Sequence, residues 1–175
     1  MRPAAREAGL GPAARFAEGV DRLVGRVVEA GKWLALPVVL LLSAQWPLRD
    51  LVRCCSREAN DLGQWLFALL IAMALTAASR AETHLRADFF AQNLSPRVRA
   101  RIAAAGALAV ALPWSVFVIV VYGRDALRSL LLLERFPDTN NPGYFVIKLA
   151  VVLLAALVAA QALVDISRVR DSEPR

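Results

Sequence analysis

Apolar residues along this chain are gathered into four blocks, which are separated by short segments rich in arginine, proline and polar residues. The clearest block runs without a charged residue from Leu62 to Ser79. A helix needs about 20 predominantly apolar residues to cross a hydrocarbon core of ~30 Å, so a block of this length predicts a membrane-spanning helix. The whole pattern predicts four spans, at about residues 33–51, 60–79, 102–123 and 143–164.

The fold class that follows is an all-α membrane protein with four transmembrane helices, because a helix satisfies all of its own backbone polar groups inside a bilayer. Apolar residues from Phe16 to Val28 recur at helical spacing, which predicts an N-terminal amphipathic helix at the membrane interface. The predicted domains are an interfacial segment 1–32, a four-helix transmembrane domain 33–167 and a cytoplasmic tail 168–175. Trp33 and Trp46 are expected at the two interfaces of the first span.

Composition agrees with the membrane class. Of the 175 residues, 58% are hydrophobic, which exceeds the usual share of about 45–50% in soluble domains. A soluble bundle of very apolar helices is the alternative. The formal net charge is +6, and the arginines flank the apolar blocks without interleaved aromatic residues, so membrane lipids rather than nucleic acid are the expected counter-charge. A cleaved signal peptide is not expected, because the basic region is too long and too acidic.

The distribution of basic residues predicts the orientation of the spans through the positive-inside rule. The N-terminus, the loop between the second and third spans and the C-terminus together carry 14 of the 21 basic residues, and the first and third loops carry six. Both termini are therefore expected in the cytoplasm. The loops at 49–58 and 124–141 are expected on the outer side.

Charged residues deep in a membrane mark transport pathways and proton relays, and the centres of the four predicted spans contain none. Lys148 lies about one turn inside the fourth span and is expected to reach the interface or to pair with Glu134 or Asp138. No G-x-S-x-G, P-loop or H-E-x-x-H motif occurs. We therefore predict no catalytic residue, no cofactor and no metal site.

Two weaker chemical interpretations stay open. His84 is the only histidine, and with Asp88 at i+4 it could contribute to a metal site, although an ion pair or a headgroup contact is the more ordinary interpretation. Glu58 and Glu134 could be paired catalytic carboxylates, although capping of helix ends or contact with a partner is the simpler role.

Two local features carry their own predictions. Adjacent Cys54 and Cys55 match neither a C-x-x-C nor a zinc pattern, so we predict two free thiols at the membrane boundary. Pro113 lies in the middle of the third span and predicts a kink there.

Three segments join polar residues to the ends of spans. They are E-A-N-D-L-G-Q-W-L-F at 58–67, H-L-R-A-D-F-F at 84–90 and E-R-F-P-D-T-N-N-P-G-Y-F at 134–145. Together with the four-span plan and the end of the first span at 45–51, they resemble the small membrane subunit of TRAP (tripartite ATP-independent periplasmic) transporters, the DctQ-like family. The resemblance covers roughly residues 33–167, and the extension before it goes beyond the family pattern.

The resemblance implies a role that depends on partners and is not enzymatic. In that family the small subunit binds a large permease subunit, which carries the substrate and sodium sites and moves like an elevator. The small subunit braces the stationary scaffold in the bacterial inner membrane. A periplasmic substrate-binding protein delivers the solute, often an organic acid, for sodium-coupled symport. The expected subunit-interface or structural residues are Glu58, Asn60, Trp65, His84, Arg86, Asp88, Glu134, Pro137, Asn141, Pro142, Gly143 and Lys148.

Two other functions remain alternatives: a small integral membrane enzyme and a generic membrane adaptor protein. Under the transporter interpretation, replacing Glu58 or Asn60 by alanine should weaken assembly or transport without changing which substrate is chosen.

Overall fold

The computed structural model describes residues 12–80 and 95–171, and these ranges are helical without a β-strand. The helices are α1 (Pro12–Gly31), α2 (Ala35–Pro47), α3 (Ser56–Arg80), α4 (Pro96–Gly106), α5 (Leu112–Leu131) and α6 (Tyr144–Asp171). A 3₁₀ turn at Lys32–Leu34 joins α1 to α2, a π-helical turn at Leu48–Val52 extends α2, and another at Ala107–Ala111 joins α4 to α5. The predicted all-α class is confirmed.

Four helical stretches in the described ranges are long and apolar enough to cross a membrane. They are Arg15–Val52, Ser56–Arg80, Ala104–Leu131 and Tyr144–Ser167. The prediction of four transmembrane helices is therefore confirmed. The helix of the third span, α5, continues past Gly123, where the span was predicted to end. Good helix formers follow Gly123, and no helix breaker occurs before Pro137.

The spans are arranged as a row. Extensive contacts join α2 to α3, α3 to α6 and α6 to α5, so that α3 and α6 lie inside the row while α2 and α5 form its edges. Small buried side chains lie along α5 and α6 and in the π-helical turn before α5, among them Ala107, Ser115, Ala126, Ala155 and Ala162. Small residues let helix backbones approach closely inside a membrane. This arrangement leaves much of each edge helix uncovered.

Helix α1 packs across α3 and α6. Val24 and Val28 form one buried hydrophobic cluster with Met73 of α3 and Leu157 of α6. A Cβ atom on Gly31 would lie only 2.4 Å from Cγ of Met73, so glycine is required for this close contact. A helix precedes the first span, and two spans cover its residues Val24 and Val28, whereas Phe16 and Leu23 are exposed. Its location at a membrane interface stays a prediction.

The helix irregularity at Pro113 is a π-helical turn. Ala107–Ala111 adopts the wider π geometry immediately before α5, in which Pro113 is the second residue. Proline lacks the N–H group that would bond the carbonyl four residues earlier, and a local change of hydrogen-bond register absorbs that loss. The sequence located this disturbance, and a kink of the helix axis stays a prediction.

Cys54 and Cys55 form a disulfide bond with each other in the turn between α2 and α3. The prediction of free thiols is therefore wrong. Arg53 and Cys55, on either side of Cys54, both adopt positive φ angles, of 55° and 60°. The sequence pattern could not indicate this turn, because neither residue is a glycine, and no C-x-x-C spacing accompanies it.

Candidate functional site

Charged side chains that pair with residues of other helices lie at the two ends of the helix row in the described ranges. We call one end the loop end; it holds the start of α3, the start of α6 and the α5–α6 loop (residues 132–143). We call the other the Arg80 end, because α3 ends there at Arg80. Both ends contain ion pairs and hydrogen bonds between residues that are far apart in the sequence.

Lys148 is the centre of a charged cluster at the loop end. Its Nζ atom lies 2.8 Å from Oε2 of Glu134 and 3.1 Å from Oδ2 of Asp125. Ser129 donates a hydrogen bond to the same oxygen of Glu134. The Lys148 side chain is only 16% exposed, and two carboxylates neutralise a charge that would be costly beside hydrocarbon. Of the roles predicted for Lys148, pairing with Glu134 is the one present in the structure.

The carboxyl group of Glu134 is held in its ionised form. Hydrogen bonds from Lys148 and Ser129 keep the pKa of Glu134 below its ordinary value of 4.5. A general acid works best when its pKa lies near the working pH, and the lowered pKa of Glu134 therefore does not favour acid catalysis by this residue. Glu58 is exposed in the first turn of α3, where a carboxylate interacts favourably with the helix dipole. Glu134 is therefore paired within the chain, whereas Glu58 is exposed at the start of α3.

Asp61 attaches the α5–α6 loop to α3. This aspartate is only 6% exposed, and its Oδ2 atom accepts hydrogen bonds from Oγ1 of Thr139 and, at 2.9 Å, from Nδ2 of Asn141. Because a buried carboxylate is costly without such donors, the two hydrogen bonds hold the loop in place. Asn141 was among the predicted structural residues, whereas Asp61 and Thr139 were missed. The available signal was a charged residue directly before an 18-residue uncharged run.

Gly143 ends the loop in a conformation that favours glycine. Its φ angle is +123°, and an added Cβ would lie 3.2 Å from Cδ1 and Nε1 of Trp65. Phe136 is buried and meets the ring of Tyr144 edge-on, with 5.5 Å between the ring centroids. Pro142 pairs with Arg135 in an isolated antiparallel bridge that closes the loop. The predicted residues Trp65, Pro142 and Gly143 thus lie at contacts within this chain, and their roles in stability or assembly stay predictions.

A cleft of about 890 Å³ opens at the loop end between α2, α3 and the α5–α6 loop. Nε2 of Gln45 donates a hydrogen bond of 3.4 Å to Oδ1 of the exposed Asn60 at this cleft. The exposed Pro137 lines its loop side. Within the described ranges, no group of three or more His, Cys, Asp or Glu residues is placed to hold a metal ion.

Arg80 joins three helices at the opposite end of the row. Its Nη1 atom lies 2.7 Å from Oδ1 of Asp21 in α1 and donates a 2.9 Å hydrogen bond to Oε1 of Gln161 in α6. Gln161 in turn donates a 3.0 Å hydrogen bond to Oδ1 of Asp165. The sequence predicts Arg80 only as one of the basic residues of the loop between the second and third spans and does not predict these contacts. His84, Arg86 and Asp88 follow it in the sequence and lie outside the described residues, so their roles stay predictions.

The fold and these clusters define a class: a helical membrane protein with four spans, whose polar side chains at both ends tie its own helices and loop together. A family model described as "Tripartite ATP-independent periplasmic transporters, DctQ component" matches residues 38–171. The chain belongs to this family, and it is a small permease subunit of a TRAP transporter rather than a member of an enzyme family. The match begins within α2, so that α1 lies before it. No curated protein and no solved structure matches the chain.

Proposed function

We propose that this subunit braces the large permease subunit of a TRAP transporter by offering it a rigid, apolar membrane surface. The observation that carries this proposal is the open arrangement of the spans. Within the most hydrophobic part of Ala104–Leu131, only 11% of the residues are buried inside the chain. A row of helices with such uncovered edges supplies contact area to a larger membrane partner, whereas a closed bundle would cover it.

The location of the polar residues favours a bracing role for this subunit over a transport pathway through it. The uncharged centres of α3 and α6 offer no ion or proton relay across the membrane. Substrate and sodium ions are therefore assigned to the large subunit, which moves against the scaffold that this chain stabilises. The expected reaction of the whole complex is sodium-coupled uptake of an organic acid or a related solute.

The orientation that we propose puts both termini in the cytoplasm and the loop end in the periplasm of a bacterial inner membrane. The support is the asymmetry of the basic residues along the chain. In this orientation the cleft beside the α5–α6 loop faces the periplasmic substrate-binding protein. The α5–α6 loop at that surface is attached to Asp61 and Lys148.

Purification of the tagged chain from its native membrane in a mild detergent, followed by mass spectrometry, tests the proposal. We expect a large, many-span permease in about equal amount. Uptake assays with the binding protein then measure the transport that the complex supports. Recovery of the chain alone, stable and monodisperse, would contradict the bracing role and favour an adaptor or an enzyme.

A further inference from the structure

Helix α1 lies beside the middle of two membrane spans. Gly31 contacts Met73, and Val24 and Val28 pack against Met73 and Leu157. Met73 precedes Arg80 by seven residues, which corresponds to ~10 Å along a helix axis. Leu157 is near the centre of the uncharged run 149–164 of α6. The part of α1 from Val28 to Gly31 is therefore level with the hydrocarbon-facing part of α3, whereas Gly25 lies beside the guanidinium group of Arg80.

The opposite face of α1 carries Glu29 and Lys32 at that depth, and Arg26 about one turn closer to Arg80. We define the α1 outer face as Arg26, Glu29, Lys32 and Trp33, of which 26, 29 and 33 follow helical spacing. Glu29 and Lys32 form an ion pair with side chains 69% and 63% exposed, and Trp33 is 76% exposed. Trp33 follows Gly31 by two residues, so it lies close to the level of Met73 rather than beside Arg80.

Lipid alone is a poor environment for this face. Charged groups at membrane depth usually contact protein, water or each other, and long side chains can extend to the headgroups. Lys32 is long enough for that, but the carboxylate of Glu29 is on a shorter side chain. Anionic headgroups would also repel it. A face that carries both signs of charge and an aromatic ring fits a protein surface better.

We propose that the large permease subunit covers the α1 outer face inside the membrane and presents acidic or hydrogen-bond-accepting groups to Lys32 and Arg26. This inference rests on the proposed function and adds the surface through which the two subunits dock. It gives α1, which precedes the family match, a role in assembly.

Charge reversal tests the proposal in the co-expressed complex. Lys32→Glu should lower the amount of permease that co-purifies with the chain by about tenfold or more, because like charges at an interface are strongly unfavourable. Arg53→Glu is the matched control, since Arg53 is also an exposed basic residue, directly follows the same continuous helical stretch and does not line the loop-end cleft. The control should change the yield by less than about twofold. Equal losses in both variants, or no loss with Lys32→Glu, would overturn the proposal.

A photo-crosslinking residue at position 33 tests the same contact without altering a charge. We expect irradiation to join the chain to the permease. If the wild-type chain co-purifies with the permease but the probe reacts only with phospholipid, the docking face is wrong and the bracing function stands. If the wild-type chain recovers no permease, both the function and the docking face are refuted.

Discussion

Lys148 and Glu134 contact each other at 2.8 Å across the junction between the α5–α6 loop and α6. The contact ties the loop to the beginning of the fourth span. The hydrogen bonds from Thr139 and Asn141 to Asp61 tie the same loop to α3. Because two neighbouring spans hold it independently, the loop is expected to be a firm surface rather than a flexible connection.

Lys148→Met should destabilise the chain while preserving most of the side-chain volume. The change leaves Glu134 and Asp125 without their shared cation, and we expect the melting temperature in detergent to fall by about 2–4 °C. Arg49→Met removes the cation of an exposed pair and serves as the control. Melting temperatures that fall equally in both variants would contradict a special role for Lys148.

Acid should weaken the loop end through Glu134. The pKa of Glu134 is lower in the folded chain than its ordinary value of 4.5. The ionised carboxylate therefore stabilises the folded state at pH values above 4.5. This contribution disappears as the pH falls through the lower pKa of the folded state. Thermal unfolding between about pH 7 and pH 3.5 measures the effect. Glu134→Gln should lose less stability on acidification than the wild type. Identical acid profiles for the two proteins would refute this assignment.

Gly143→Ala should destabilise the loop. The positive φ angle is strained for alanine, and the added Cβ approaches the Trp65 ring, so we expect a loss of ~1–3 kcal/mol. Gly123→Ala is the control, since a Cβ at Gly123 meets nothing within 4 Å and the residue lies inside α5. There alanine should be neutral or slightly stabilising. Equal effects in chemical or thermal unfolding would contradict the backbone argument.

Gly31→Ala should displace α1 from α3. The new Cβ would overlap Cβ and Cγ of Met73, at 2.6 and 2.4 Å, and a clash with a Cβ atom cannot be relieved by rotating a side chain alone. We expect lower thermal stability and faster proteolysis within α1. Met73→Gly, which removes both of these atoms, should partly restore stability when combined with Gly31→Ala, and a double-mutant cycle measures this coupling. Additive losses in that cycle would show that the two residues are not in contact.

The four spans were visible in the sequence because each apolar run is long and carries few charges, and no tertiary information is needed to recognise it. The contacts of Asp61 were not visible. Its partners Thr139 and Asn141 are 78 and 80 residues away, and only the packing of α3 beside the loop brings them together. Helix α1 shows a third case, since spacing identifies an apolar face but cannot distinguish burial against lipid from burial against Met73 and Leu157.

Asn60 and Asp61 are neighbours in α3, and their replacement should change different properties, namely assembly for Asn60 and subunit stability for Asp61. Asp61 is buried and holds the loop, so Asp61→Ala should lower the stability of the isolated subunit by ~1–3 kcal/mol. Asn60 is exposed beside the cleft, so Asn60→Ala should leave the melting temperature nearly unchanged.

The exposed Asn60 is instead expected to act in assembly, as is the exposed Glu58. Asn60→Ala and Glu58→Ala should reduce the permease that co-purifies, or the rate of uptake, without changing which solute is transported. The decisive comparison is the melting temperature of the subunit alone against the yield of complex for each variant. A change of substrate in either variant would contradict this assignment, because a bracing surface acts on the amount of complex and not on the substrate site. A stability loss in Asn60→Ala as large as in Asp61→Ala would also contradict it.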